Sequence, residues 1–233
     1  VIAVLFFIIT LRGALREFIK QPFARSLALV LIVFGGGLGW LFGIAGHWNV
    51  DIGSFFIESK KSEIWCFLAA LVTPHNIVAM ALVIWVMTGF SMSSRGNKHA
   101  LWTSPIVALA LATFHPYDLP TIYVVGGVFL VMLRLRDGKI NRPLLFTYVG
   151  VMILSLPVLA YHYWALSTTP DLRGLFLQND IPPFSSLKYV IGLLPIGLLA
   201  FRQMVLWLAS YKTINNSQLL IASWAVTLPV LLY

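Results

Sequence analysis

Asp118 stands alone between two apolar runs. Residues 99–117 and 119–133 contain no Asp, Glu, Lys or Arg. Around it lie His115, Pro116 and Tyr117, so an imidazole, a phenol and a carboxylate share four positions. A carboxylate held in a recessed cavity can act as a general base or hold a divalent cation. A neighbouring histidine can carry a proton or bind phosphate. His75 and Asn76, directly after Pro74, add a second imidazole and an amide. Asp171, Arg173, Asn179 and Asp180 form a third polar group, in which Arg173 could grip a phosphate through two parallel hydrogen bonds. The candidate substrate-binding set is therefore His75, Asn76, His115, Tyr117, Asp118, Asp171, Arg173, Asn179 and Asp180. It suits a substrate with a polar head and a lipid tail, approached from within the bilayer. The bland alternative is that His115 and Asp118 cap helix ends and hydrogen-bond each other. Metal signals are weak. The sequence has no HExxH, and the one cysteine, Cys66, rules out a Cys-based zinc site. No cofactor is expected beyond, at most, a divalent cation on His115 and Asp118, with His75 as a third candidate ligand. No GxSxG is present for nucleophilic catalysis.

The elements that must position these residues are membrane helices. Of 233 residues, 59% are hydrophobic and only 10% are charged, and mean hydropathy is +0.88. Soluble domains carry about 25% charged residues. The expected fold is an all-α, polytopic transmembrane bundle, a single domain over residues 1–233. The 16 Lys and Arg residues are spread between apolar runs rather than clustered, which argues for topology and against a nucleic-acid partner. The chain starts at Val1 and ends at Tyr233 inside apolar runs, as a fragment of a longer protein would.

About seven or eight spans can be threaded. Val1–Leu11 reads as the end of a truncated span, and Arg12, Arg16, Lys20 and Arg25 as an inner loop. Ser26–Gly46 is the second span, with Gly35, Gly39 and Gly43 spaced for close helix packing. His47–Glu63 is an outer loop in which Ser54 could start a short interfacial helix carrying Phe55, Phe56 and Ile57. Ile64–Val72 dips into the membrane, Pro74 breaks the run, and His75–Phe90 crosses inward. Arg95 and Lys98 mark the next inner loop. Two spans then flank a tight turn at His115–Asp118, because Pro116 and Pro120 disfavour an unbroken helix. From Lys98 to His115 the helix reaches about 25 Å, against a hydrocarbon core of about 30 Å, which sets the turn slightly below the surface. Arg134–Arg142 is inner, Pro143–Tyr161 crosses outward, and His162–Leu187 is outer. Lys188–Phe201 is a short span with Pro195, Arg202 and Lys212 bracket an inner stretch, and Gln218–Tyr233 begins the last span. Asn215-Asn216-Ser217 matches a glycosylation sequon that this topology turns inward, where it carries no meaning.

This threading separates the charges. Twelve of the 16 basic residues fall on inner loops. Six of the eight acids, Asp51, Glu58, Glu63, Asp118, Asp171 and Asp180, fall outside, with His47, His75, His115 and His162.

Several motifs together resemble a known group. Gly35-Gly36-Gly37-Leu38-Gly39-Trp40 lies in a span, and Pro74-His75 opens a helix. His115-Pro116-Tyr117-Asp118 lies between spans, and Asp171, Gln178-Asn179 and Pro182-Pro183 lie in an outer loop. The pattern resembles bacterial multi-spanning proteins of the GT-C glycosyltransferase type. The resemblance implies a lipid-phosphate-linked sugar donor and transfer on the outer side of the plasma membrane. Such enzymes usually carry a catalytic Asp or Glu in the loop after their first span. Here that loop would precede Val1, so the resemblance assigns no catalytic base. The alternatives are a secondary transporter or lipid flippase, or a non-catalytic membrane protein. Against a transporter, no inverted repeat is visible and no charge sits in mid-span.

Overall fold

The computed structural model describes residues 2–34, 74–169 and 194–231. The glycine-rich run from Gly35, the His47–Glu63 loop and the Ile64–Val72 dip lie outside the described residues. So does the polar segment holding Asp171, Arg173, Asn179 and Asp180.

Among the described residues the chain is all-α. The helices are α1 (Ile2–Phe18), α2 (Pro22–Phe34), α3 (Pro74–Ser94), α4 (Lys98–Phe114), α5 (Leu119–Asp137), α6 (Arg142–Thr168), α7 (Leu194–Ala209) and α8 (Asn216–Leu231). A single 3-10 turn, Pro116–Asp118, joins α4 to α5. Among the described residues three segments are long and apolar enough to cross a membrane: Pro74–Ser94, Pro116–Asp137 and Arg142–Thr168. Pro22–Val33 and Gly197–Ala209 are apolar but shorter. Large side chains such as Trp102 and Ile106 of α4 and Phe146 and Ile153 of α6 lie exposed. So much apolar surface is what a lipid-facing helix presents.

Three boundaries differ from the sequence reading, two of them because charge was equated with a helix end. Arg12, Arg16 and Glu17 belong to α1, which runs to Phe18, and the turn occupies only residues 19–21. Arginine is a good helix former, and a cation in the last turn complements the helix dipole. α6 continues through His162 to Thr168. Arg202 sits inside α7 instead of bordering it.

The chain forms two compact units. One comprises Val1–Val78 with Ile181–Gln203, the other Ala79–Asp180 with Met204–Tyr233. In the first, α1 and α2 form a hairpin. In the second, α6 packs along α4 and, to a lesser degree, α5, while α5 packs chiefly on α8. Glycines make these approaches close. A Cβ on Gly126 of α5 would lie 2.8 Å from the Tyr148 ring and 2.9 Å from that of Phe90. A Cβ on Gly150 of α6 would lie 2.9 Å from Pro105 of α4. The hydroxyl of buried Ser104 fills the space that a side chain on Gly89 would need. Among the described residues that hydroxyl has no hydrogen-bond partner.

One end of the second unit is tied by polar side chains. Asn141 accepts from the Leu144 amide to cap α6, and its own amide donates to the Ser94 carbonyl at 2.8 Å. Asn216, at the start of α8, donates to Ser94 Oγ at 2.8 Å. Arg136, near the end of α5, donates to Asn216 Oδ1 at 2.6 Å and to the Ile214 carbonyl at 2.9 Å. Thr147 donates to Ser93, and Ser91 and Ser217 share a buried hydrogen bond. Asn215 and Gln218 cap α8 reciprocally, each side-chain oxygen accepting the other's backbone N–H. Four helices, α3, α5, α6 and α8, thus meet through groups that would be costly to leave unpaired away from water.

Candidate functional site

The opposite ends of α4 and α5 meet at the 3-10 turn. α4 ends because Pro116 has no N–H to continue the helix and disfavours the α region for the residue before it. His115 therefore takes an extended backbone, φ −151° and ψ 71°, while its own N–H still reaches the Leu111 carbonyl at 2.7 Å. α5 restarts at Leu119, with Pro120 in the first turn, where a missing N–H costs nothing.

This break brings three predicted residues together. The His115 Nδ1–H donates to Asp118 Oδ2 at 3.0 Å. The Tyr117 ring stands edge-on to the imidazole, with ring centres 5.6 Å apart. His115 is 27% exposed and Asp118 36%, so the pair is sheltered but reachable. Neither side chain caps a helix. Of the two bland roles considered for them, mutual hydrogen bonding is realised and capping is not. The hydrogen bond to Asp118 raises the His115 pKa above its usual 6.5; partial burial opposes this and the carboxylate charge assists it. A hydrogen bond that favours the charged form stabilises it, so the imidazolium persists to higher pH than in a free histidine. The arrangement offers a retained proton and a positive charge at a helix break, suited to an anionic oxygen.

His75 and Asn76 lie in the first turn of α3, as expected from Pro74, with His75 exposed. They belong to the first unit, whereas His115, Tyr117 and Asp118 belong to the second. Asp171, Arg173, Asn179 and Asp180 lie outside the described residues. Among the described residues no group of three or more His, Cys, Asp and Glu converges. Magnesium and calcium take six or more oxygen ligands, so His115 and Asp118 alone do not fit a dedicated cation site.

The sequence reading passed over the polar tie at the other end. Ser94, Asn141 and Asn216 looked ordinary in isolation, and Asn216 was set aside as part of a sequon. The usable signal was the recurrence of Ser, Thr and Asn where apolar helices begin or end, since such groups hydrogen-bond between helices.

No protein-family model, no curated protein and no solved structure matches this chain.

Proposed function

We propose that the chain is a multi-pass protein of the plasma membrane, of the GT-C glycosyltransferase type, acting on a lipid-phosphate-linked sugar at the outer face. The observation that carries the reading is the His115–Asp118 pair at 3.0 Å, beside Tyr117, where two apolar helices break. In this reading the imidazolium faces the donor's phosphate oxygens and Asp118 fixes its orientation. Developing negative charge on the departing lipid phosphate is then met by a fixed positive group, which needs no reorganisation during the reaction. Tyr117 stands beside the pair, and His75, Asn76, Asp171, Arg173, Asn179 and Asp180 are the further candidate contacts to the substrate. The catalytic base is not assigned. The partners are membrane lipids and the lipid-linked sugar, with no nucleic acid.

The test is turnover of a lipid-linked sugar by the full-length protein in proteoliposomes, with His115→Ala and Asp118→Ala. Removing one preorganised charge-stabilising group costs about 10²–10³ in rate. Both variants should lose on that order while retaining helical content. Wild-type turnover in both would reduce the pair to a helix-turn contact.

A further inference from the structure

The α1–α2 hairpin holds a cavity of about 290 Å³ in which three arginines converge. Arg12 and Arg16 come from α1, and Arg25 from α2. Ser26 stands beside Arg25, and Ile8 and Leu29 supply apolar walls. The spacing explains the convergence. Ile8, Arg12 and Arg16 are four residues apart and stack on one face of α1. Arg25, Ser26 and Leu29 recur at helical spacing on α2, facing it. Both helices belong to one compact unit. Among the described residues, no acidic side chain pairs with Arg12, Arg16 or Arg25.

Three guanidiniums around one cavity repel one another until an anion joins them. Guanidinium is the cation best matched to phosphate, since its planar fork donates two parallel hydrogen bonds. The apolar walls select the kind of phosphate. A free phosphate ion gains nothing from Ile8 or Leu29, whereas a lipid can lay its first methylenes against them. Basic pockets between membrane helices hold anionic head groups in this way.

We infer that the Arg12–Arg16–Arg25 cavity binds the phosphate head group of an anionic membrane lipid. The site is separate from the His115 break and does not depend on the activity proposed for it. Generic positive-inside attraction is the rival explanation, and chemistry separates the two. Lysine serves topology as well as arginine does, but it cannot make the bidentate fork.

The experiment is native mass spectrometry of the full-length protein, with phosphatidylglycerol and phosphatidylcholine offered together. Each juxtamembrane cation contributes roughly a factor of five in anionic-lipid affinity. The triple variant Arg12→Gln, Arg16→Gln, Arg25→Gln should therefore lose about 10²-fold in phosphatidylglycerol retention. The all-lysine variant keeps every charge and the topology, so misfolding does not confound it; it should lose several-fold. A charge-matched control, Arg134→Gln with Lys139→Gln and Arg142→Gln, should retain the lipid. All-lysine retention equal to wild type would overturn the site, as would equal loss in the control. Inorganic phosphate displacing the lipid fully would overturn the lipid assignment.

Discussion

Arg136→Met tests whether the polar tie at the Ser94 end holds four helices together. The Arg136 side chain is only 11% exposed and donates to Ile214 O and Asn216 Oδ1. Its remaining bonds run to Asp137, which is 33% exposed. The two bonds to neutral acceptors carry most of the loss, because hydrogen bonds from a charged donor contribute about 1.5–3 kcal/mol each. The Asp137 pair lies between adjacent, partly exposed side chains and adds less than about 1 kcal/mol. Water can reach the vacated acceptors from the Asp137 side, so the net loss should be roughly 2–4 kcal/mol. Asn216 loses its link to α5 while keeping its bond to Ser94, so α8 should loosen first. The assay is reversible unfolding in mixed micelles, followed by helical circular dichroism. Arg134→Met, an exposed neighbour on the same helix, should stay within about 0.5 kcal/mol of wild type. Arg136→Lys should recover only part of the loss, since an ammonium cannot span Ile214 O, Asn216 Oδ1 and Asp137 as the fork does. Equal behaviour of Arg136→Met and Arg134→Met would refute the tie.

Two further outcomes follow from packing and titration. Gly126→Ala should destabilise by about 1–3 kcal/mol, because its methyl would meet the Tyr148 and Phe90 rings at 2.8 and 2.9 Å; Gly13→Ala, with open space around it, should not, and equal effects in thermal unfolding would count against the packing. His115 has a raised pKa, so its stabilising contribution is fully present below the unfolded value of 6.5 and is lost as pH rises through the folded value. The stability gap between wild type and His115→Gln should accordingly shrink from pH below 6.5 to alkaline pH, and a folded-state His115 pKa below 6.5 by NMR would contradict the geometry.

The helix break was legible because its cause is local. Pro116 and Pro120, four residues apart, disfavour an unbroken helix through His115–Asp118. The same holds for Pro74, which starts α3, and for His75 and Asn76 in its first turn. The polar tie was not legible, since its bonds join residues far apart in sequence: Arg136 with Asn216, Ser91 with Ser217. No window along the chain contains both partners. Helix ends placed by charge were wrong at Arg16 and Arg202 for a related reason. A membrane helix can carry arginine near its end when the long side chain reaches the interface, so charge marks the interface and not the last helical residue. The arginine cavity was visible only as a basic cluster until the α1–α2 hairpin showed which three arginines share a space.

The functional reading rests on sidedness: the His115 break facing the outer aqueous phase and the Arg136 tie the inner one. α4 and α5 place the two at opposite ends. Cys66 is the sole cysteine, so Cys66→Ser gives a clean background. Tyr117→Cys and Arg134→Cys, introduced singly, can then be labelled in intact cells with a membrane-impermeant maleimide. Tyr117→Cys should label from outside, and Arg134→Cys only after permeabilisation. Labelling of both from the same side would contradict the account.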